Sequence, residues 1–197
     1  MPTMSRIESA FCRSAPWRVF TRRTVVPWAL QGLKPTGKVL EIGAGSGAMA
    51  AEILSIYPDI HITVTDFDDT MLAAARRRLA PFGSRATARQ ADANGLPFGD
   101  NTFDTVLSFI MLHHTVTWEQ ALAEAVRVVR AGGTLIGYDL LSVVPTRILH
   151  RLEGAPTRLI RRGELEPALD QLPLADVRLR HNPLLVRFSA TKRSHAG

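Results

Sequence analysis

A glycine-rich segment with an acidic residue at its start is the strongest indication of a ligand site in this sequence. In Val39–Gly47 (V-L-E-I-G-A-G-S-G), a predicted strand runs into glycines at 43, 45 and 47 and then into a helix. Glycine tolerates the positive φ of a tight turn, and the next helix offers free backbone N–H groups. Glu41 lies two residues before the first glycine, an unfavourable place for an acid that would face a pyrophosphate.

Two further acidic residues come after predicted strands and could complete a nucleoside site. Asp66 ends the second strand, 23 residues after Gly43, where a carboxylate can accept both hydroxyl groups of a ribose. The same side chain could instead cap the helix that begins near Asp68. Asp92 follows the third strand and could accept the amino hydrogens of an adenine, or it could be an ordinary loop acid. Together with Glu41, these acids predict that the ligand is a neutral or cationic nucleoside without phosphates.

A dinucleotide is the competing ligand for the same turn. Gly43, Gly45 and Ala48 satisfy the relaxed G-x-G-x-x-A fingerprint, so a nicotinamide-dependent oxidoreductase is an alternative. The acid at position 41 disfavours this alternative, and so does the lack of a second catalytic domain in the 197 residues. Binding of NADH would support it.

Alternating strand and helix patterns place these residues along one sheet. Runs rich in β-branched residues predict five strands: Lys38–Ile42, His61–Thr65, Ala86–Ala91, Phe103–Phe109 and Thr134–Asp139. Apolar residues at helical spacing predict helices reaching about Tyr57, over Asp68–Leu79 and over Trp118–Val129, the last ended by Gly132–Gly133. This alternation is typical of right-handed βαβ units on a parallel sheet, and so of an α/β fold.

The two ends of the chain depart from this rhythm. Asp176–His181 and Leu184–Thr191 are strand-like runs on either side of a turn that contains Pro183. They predict an antiparallel hairpin. The N-terminal residues predict short helices that are interrupted at Pro16 and Pro27.

The ordered set of motifs resembles the class I S-adenosylmethionine-dependent methyltransferases, most closely their small-molecule, quinone and lipid methyltransferase group. The resemblance covers roughly residues 38–141 and rests on V-L-E-I-G-A-G-S-G, V-T-D-F, Q-A-D-A-N-G-L-P-F, F-D-T-V-L-S-F-I-M-L-H-H and R-V-V-R-A-G-G-T-L. It implies a Rossmann-like, doubly wound sheet of seven mostly parallel strands in the order 3-2-1-4-5-7-6, with helices on both faces. The last strand would be antiparallel, and the hairpin would supply strands six and seven.

The resemblance also implies a single domain and the role of each part. The parts would be an N-terminal helical lid (1–36), a cofactor-binding core (37–141), a helical lid segment (142–175), the hairpin (176–191) and a flexible tail (192–197).

The implied cofactor is S-adenosylmethionine, and no metal is expected. By position, the residues that would bind the cofactor are Glu41, Gly43, Ala44, Gly45, Gly47, Asp66, Phe67, Asp92, Ala93, Ser108 and His113. The glycine-rich turn and its acid would hold the methionine part, Asp66 the ribose, and Phe67 the face of the adenine. Asp92 and the Ala93 backbone would read the adenine edge, while Ser108 to His113 would lie beside the sulfonium and the substrate entrance.

The chemistry needs alignment of nucleophile, methyl and sulfur more than it needs acid–base groups. For a hydroxyl or an activated carbon as acceptor, a general base would still help. The candidate catalytic residues are His114 and Asp139, either of which could face the acceptor. The resembling family often carries a histidine pair at positions 113 and 114 without using it as a base, so a structural role stands beside this one.

The residues after strand four narrow the class of acceptor. Enzymes that methylate amino groups of nucleic acids commonly have Asn or Asp, two prolines and an aromatic residue there, but this chain has Ser108–Met111. A cytosine C5 enzyme needs a cysteine after that strand, and Cys12 lies elsewhere. A small-molecule or lipid-like acceptor is therefore the leading expectation. A protein or RNA acceptor is the alternative, and a cofactor-binding protein without activity stays open.

The net charge of +6 is unevenly distributed. Residues 37–140 carry eight basic against twelve acidic side chains, whereas residues 1–36 carry six against one and residues 141–197 ten against five. Basic ends that also contain large apolar residues favour an amphiphilic acceptor or an anionic membrane surface. Apolar packing beneath solvated arginines explains the same composition.

Composition sets further bounds. The longest stretch without Asp, Glu, Lys or Arg is Thr105–Trp118, which is too short to span a bilayer. A single cysteine excludes an internal disulfide and a multi-cysteine zinc site. We expect a cytoplasmic protein, peripheral at a membrane if its basic ends bind lipid.

Overall fold

The structure is a computed structural model and describes residues 21–147 and 157–194. Within these residues, the strands are β1 (Lys38–Ile42), β2 (His61–Asp66), β3 (Ala86–Gln90), β4 (Phe103–Phe109), β5 (Val129–Leu140), β6 (Leu174–His181) and β7 (Leu185–Lys192). The α-helices are α1 (Val26–Leu30), α2 (Ala48–Ile56), α3 (Asp69–Leu79), α4 (Trp118–Val128) and α5 (Leu165–Asp170). Short π- and 3₁₀-helical segments lie at Thr21–Val25, Ala80–Arg85 and Leu112–His114.

The strands form one sheet in the order β3-β2-β1-β4-β5-β7-β6. Strands β1 to β5 pair in parallel, and β7 runs antiparallel between β5 and β6. The predicted α/β fold, strand order and antiparallel last strand are confirmed. Because parallel strands end at the same edge of a sheet, the segments after β1 to β5 all lie at one edge, which we call the carboxyl edge.

Two apolar layers hold helices against the two faces of the sheet. Val39 and Leu107 belong to a buried cluster with α1, α2 and α3, while Leu40 and Val106 belong to a second cluster with α4 and α5. Neighbouring residues of a strand divide between the clusters because successive side chains point to opposite faces. Burial on both faces explains why β1 and β4 are nearly continuous apolar runs.

Strand β5 is longer than its sequence pattern predicts. It begins at Val129, which has extended backbone angles (φ −66°, ψ 136°) and pairs with Phe103, so α4 ends one residue earlier than expected. The pairing is irregular between Phe103 and Thr105, and Gly132 has φ +73°. The glycines therefore form an irregularity within a strand and do not end the helix.

Two terminal expectations are also corrected. Pro27 lies in the first turn of α1, where its missing N–H is not needed, and does not interrupt the helix. Lys192 belongs to β7 and not to a tail, because its ammonium group donates to the carbonyls of Arg127 and Val129 at 2.9 and 2.7 Å. The break predicted at Pro16 lies outside the described residues.

The predicted lids are described only in part. After the undescribed residues 148–156, the chain returns to the sheet, where Ile160 pairs with Leu141. Leu165 and Leu169 of α5 are buried in the core, so this part of the segment packs on the sheet. Residues 1–20 and 195–197 also lie outside the described part. None of the helices within residues 21–147 and 157–194 has the length and apolar character needed to cross a membrane.

Candidate functional site

Two glycines of the turn after β1 have different surroundings. Gly43 has φ +63°, and a Cβ atom there would lie 2.1 Å from Cγ of Met111, so the loop after β4 packs directly on this backbone. Gly45 has φ +53°, but a Cβ atom there would meet no protein atom within 4 Å. The close approach of the protein's own loop requires Gly43, whereas the backbone of Gly45 faces open space where a ligand can approach.

Hydrogen bonds from neighbouring elements fix the same turn. The Ala44 amide donates to the Thr65 carbonyl at 2.8 Å, and Gly47, with φ +71°, begins α2. Arg78 of α3 donates to the carbonyl and hydroxyl oxygens of Ser46 at 3.0 and 2.5 Å. Sequence analysis did not single out Arg78, because the run of three arginines at 76–78 does not reveal which one faces the turn.

Asp66 links the ends of β1 and β2. Its Oδ2 accepts from the Gly45 amide at 2.8 Å, and its Oδ1 accepts from the Asp68 amide at 2.9 Å. The cap of α3 is Asp68, whose Oδ1 accepts from the amides of Thr70 and Met71. The capping role considered for Asp66 is therefore taken by Asp68. A carboxylate has about four lone-pair directions, so each oxygen of Asp66 retains one for a ligand.

Two predicted adenine contacts flank this position. Phe67 follows β2 directly, and its side chain is 64% exposed although it is a large aromatic group. Asp92 is exposed after β3, and its Oδ1 accepts from the Asn94 amide at 2.9 Å within its own turn. Ala93 is half-buried against the core. The Ala91 amide donates to the Asp66 carbonyl at 3.1 Å, which holds the start of this loop beside the end of β2.

Glu41 is a buried carboxyl group with an unused oxygen. Its side chain is 2% exposed, and Oε2 has no hydrogen-bond partner among the described residues. Burial raises the pKa of Glu41 to about 8, against a hydrogen bond from the Ala50 backbone that lowers it. The group is therefore largely protonated at neutral pH until a cation approaches.

Ser108, at the end of β4, has the same feature. Its hydroxyl is buried and also lacks a partner among the described residues. Because Ile42 pairs with Ser108, the two orphan groups lie at the ends of adjacent strands, on opposite faces of the sheet. Buried polar groups are normally hydrogen-bonded, so both groups need a partner that the described residues do not supply.

Asp139 is fully buried at the end of β5, and both of its oxygens are used. Oδ2 accepts from the amides of Met111 and Leu112 at 3.0 and 2.7 Å. Oδ1 accepts from the Leu140 amide at 2.6 Å and lies 2.5 Å from Nδ1 of His113. Four partners fill the lone-pair directions of one carboxylate. The contacts thus oppose the predicted role of Asp139 as a base that faces the acceptor, and they make it an anchor of the loop after β4.

The loop held by Asp139 begins with a strained residue. Ile110 has φ +49°, a left-handed conformation that β-branched residues rarely adopt. Its amide donates to the Tyr138 carbonyl at 2.9 Å, so β5 holds the turn in place. His113 is buried, whereas His114 is partly exposed with its ring centroid 4.1 Å from that of His113. Of the two, His114 has the access to solvent that a catalytic base needs.

Arg158 connects the segment after the undescribed residues to this loop. Its backbone amide donates to the His113 carbonyl at 2.9 Å. Its guanidinium group pairs with Glu119 at 2.7 Å and lies 5.2 Å from the ring centroid of Trp118. Sequence analysis treated this arginine as one of many basic residues, because its partners are about forty residues away along the chain.

The exposed large apolar side chains of the described residues belong to segments at the carboxyl edge. They are Phe67, Ile110, Val116, Val144 and Leu184. Ile110 follows β4, Val144 follows β5, and Leu184 precedes β7, where its carbonyl accepts from the Leu141 amide at 2.8 Å. We call Ile110, Val144 and Leu184 the apolar rim. In the same described residues, no group of three metal-ligating side chains could hold a metal ion.

Known proteins with similar sequences include methyltransferases. Residues 39–133 match the model of a family described as a methyltransferase domain. A demethylmenaquinone methyltransferase of Clavibacter sepedonicus is 32% identical over 147 residues, which are 75% of this chain and 51% of that protein. A ubiquinone/menaquinone biosynthesis C-methyltransferase, UbiE, of Desulfotalea psychrophila is 37% identical over 118 residues, 60% of this chain and 46% of that protein. The chain spans about half the length of these relatives.

Solved structures show the same fold. Phosphoethanolamine N-methyltransferase 2 of Haemonchus contortus superposes with a TM-score of 0.76 and covers 87% of this chain and 53% of that protein. It was solved with phosphomonomethylethanolamine and S-adenosylhomocysteine. Sequence identity is 15%, so this likeness concerns the fold alone.

Proposed function

We propose that the chain is a class I S-adenosylmethionine-dependent methyltransferase that transfers a methyl group to a small, lipid-like acceptor. The observation that carries the proposal is the orphan Oε2 of Glu41, at the start of the turn in which Gly45 leaves open space. An unpaired buried polar group costs about 1–3 kcal/mol. An ammonium group of a ligand would recover that cost, and S-adenosylmethionine has one on its methionine part.

The residues around the turn fit the rest of this cofactor. When bound, S-adenosylmethionine supplies a methyl group activated on a sulfonium. Asp66 has a free lone pair on each oxygen for the ribose hydroxyls, and the exposed ring of Phe67 offers a face for adenine. Asp92 has an oxygen outside its turn hydrogen bond, which could accept from the adenine amino group. Ser108 would approach the cofactor from near the end of β4, on the face of the sheet opposite Glu41.

The surface that we assign to the acceptor is apolar, whereas the residues that we assign to the cofactor are largely acidic. The apolar rim provides exposed aliphatic contacts but no charge, which suits a ring or chain with little polarity. One relative is named as a demethylmenaquinone methyltransferase and the other as a C-methyltransferase of ubiquinone and menaquinone biosynthesis, so both names specify methylation related to quinones. A quinone-like acceptor is the class that we propose for this chain, which we expect to work in the cytoplasm.

This chain would promote transfer mainly by holding the acceptor in line and excluding water. Orientation alone can supply about 7–11 kcal/mol. Asp139 would act as a positioning residue that fixes the loop from Ile110 to His113, because its oxygens hold the amides of Met111 and Leu112.

His114 is the residue that we propose as general base for a carbon or hydroxyl acceptor. We expect His114→Ala to lower kcat by about 10²-fold or more while the affinity for S-adenosylmethionine stays within twofold, because a base acts only in the chemical step. Steady-state kinetics and calorimetry on the same preparations would measure both. Unchanged turnover with intact cofactor binding would remove His114 from the mechanism.

Calorimetry with S-adenosylmethionine, S-adenosylhomocysteine and NADH tests the proposed function. We expect both adenosyl ligands to bind. Glu41→Gln should lower the affinity for S-adenosylmethionine by at least about tenfold, because it removes the charged partner of the ammonium group. Glu52→Gln is the matched control, since Glu52 lies on α2 outside the site. Binding of NADH but of neither adenosyl ligand would contradict the proposal, as would equal affinities for the two glutamine variants.

A further inference from the structure

Three arginines lie on one face of the hairpin β6–β7. Arg180 pairs directly with Arg187 across the two strands, and Arg178 lies two residues before Arg180 on the same face. Among the described residues, none of the three forms an ion pair. Like charges directly opposite each other destabilise a sheet. Repulsion between these arginines therefore destabilises the hairpin, and a bound anion would reduce that repulsion.

The packing of Arg187 keeps this charge close to the carboxyl edge. Its guanidinium group donates to the Trp28 carbonyl at 3.0 Å and lies 4.6 Å from the centroid of the Trp28 ring. Arg187 also pairs with Tyr138, two residues from the end of β5. Loss of water and the charge of Arg180 lower the pKa of Arg187, which remains cationic at physiological pH.

The β6 part of the face that carries the arginines is open to solvent, whereas Arg187 of β7 is half-buried against Trp28. Arg178 and Arg180 are exposed, whereas Val177 and Leu179 on the other face of β6 pack against the core. The hairpin is therefore amphipathic, and the arginines make its outer face positively charged near the edge of the sheet.

The apolar rim begins at the end of the same hairpin. Leu184 immediately precedes β7, and Leu185 pairs with Leu140, so the arginine pair lies within a few residues of the rim. The rim continues with Val144, which follows β5, and Ile110, which follows β4. Arginines beside exposed aliphatic residues fit the boundary between lipid headgroups and acyl chains. A nucleic acid would meet the arginines but would leave the aliphatic side chains without an apolar partner.

We propose that Arg178, Arg180 and Arg187 bind the headgroups of an anionic lipid bilayer, with the apolar rim directed into the interface. This inference rests on the proposed function and deepens it, because it would bring the acceptor site to the surface in which a lipid-like acceptor dissolves. It concerns a surface outside the cofactor site, so vesicle binding and cofactor binding can be measured separately.

Vesicle sedimentation tests the proposal in the absence of cofactor and acceptor. The probes are vesicles of phosphatidylcholine alone and vesicles that also contain phosphatidylserine. We expect the wild-type chain to bind the anionic vesicles at least about thirtyfold more tightly than the neutral ones, and Arg178→Gln with Arg180→Gln to lose about thirtyfold in affinity for the anionic vesicles. Each basic residue near an anionic surface increases the binding affinity by about fivefold. The affinity for S-adenosylmethionine should stay within twofold.

The matched control is Arg76→Gln with Arg77→Gln, which removes the same charge from exposed positions on α3. We expect this variant to bind anionic vesicles within threefold of wild type. Equal losses in both double variants would show a general effect of net charge and overturn the proposal. So would equal binding of wild type to both kinds of vesicle, or tight salt-sensitive RNA binding without vesicle binding. Failure of the wild-type chain to bind cofactor would instead contradict the proposed function.

Discussion

Two buried carboxyl groups at the same edge of the sheet are used in opposite ways. Asp139, at the end of β5, has four partners from its own chain and is 0% exposed. Glu41, near the end of β1, is almost as deeply buried, but one of its oxygens has no partner among the described residues. The contrast separates a carboxylate that holds the loop after β4 from a carboxyl group that we propose as a ligand-binding group.

The physical lesson is that burial alone does not identify a functional acid. A satisfied buried carboxylate stabilises the fold, and its loss exposes unpaired donors. An unsatisfied one lowers the stability of the empty protein and recovers that cost when a cation binds. The two residues should therefore respond to substitution with opposite signs.

The largest expected effect concerns Asp139. We expect Asp139→Ala to lower the free energy of unfolding by about 3–5 kcal/mol, because it leaves the buried amides of Met111 and Leu112 and the ring of His113 without their hydrogen-bond acceptor. Urea denaturation would measure the change. Asp139→Asn should cost less, since its carbonyl oxygen can still accept from two amides.

Asp170→Ala is the control for this measurement, because Asp170 is exposed at the end of α5. Its expected change is within about 0.5 kcal/mol. If Asp139→Ala unfolds at the same urea concentration as wild type, Asp139 does not anchor the loop.

The second effect has the opposite sign and depends on pH. Because the folded pKa of Glu41 is about 8 and its ordinary value is 4.5, the unfolded chain loses this proton first. The stability that the neutral carboxyl contributes is complete below pH 4.5 and is lost as the pH rises to about 8. Glu41→Gln cannot ionise, so we expect its free energy of unfolding at pH 7 to exceed that of wild type by about 3 kcal/mol.

Urea denaturation of both proteins at pH 5 and pH 7.5 would measure this difference. The difference in free energy of unfolding between variant and wild type should increase as the pH rises, because only wild type carries the ionisable group. Parallel curves for the two proteins would show that Glu41 is paired in solution and would break the contrast with Asp139.

The smallest effect compares the two glycines of the turn. We expect Gly43→Ala to cost at least about 2 kcal/mol of stability, because the new Cβ atom would collide with Met111. Gly45→Ala should cost only about 1–2 kcal/mol, the penalty of a left-handed backbone, since no protein atom lies nearby.

Cofactor affinity should separate these variants further. The methyl group of Gly45→Ala would point into the space that we assign to the ligand, so S-adenosylmethionine binding should fall in calorimetry beyond any loss of stability. Full affinity in a folded Gly45→Ala protein would show that the ligand does not approach this backbone.

The elements of the proposed cofactor site were largely predictable from the sequence. Val39–Gly47, Asp66 and Asp92 are local signals, because each follows a strand within a few residues and parallel strands end at one edge. The acceptor half was less predictable. Asp139 and His114 looked equivalent as catalytic candidates, since neither burial nor the number of partners can be read from residue type.

The sequence by itself determined the α/β class through its alternation of strands and helices and its terminal hairpin, and its resemblance to a known family implied the strand order. It also determined which residues reach the carboxyl edge. Only the tertiary structure decided how each of them is used. Whether Glu41 keeps a free oxygen, whether Arg78 faces the turn, and whether Arg180 lies opposite Arg187 depend on contacts between residues distant in the chain. Local patterns carry no information on such contacts, because they form only when separate elements pack together.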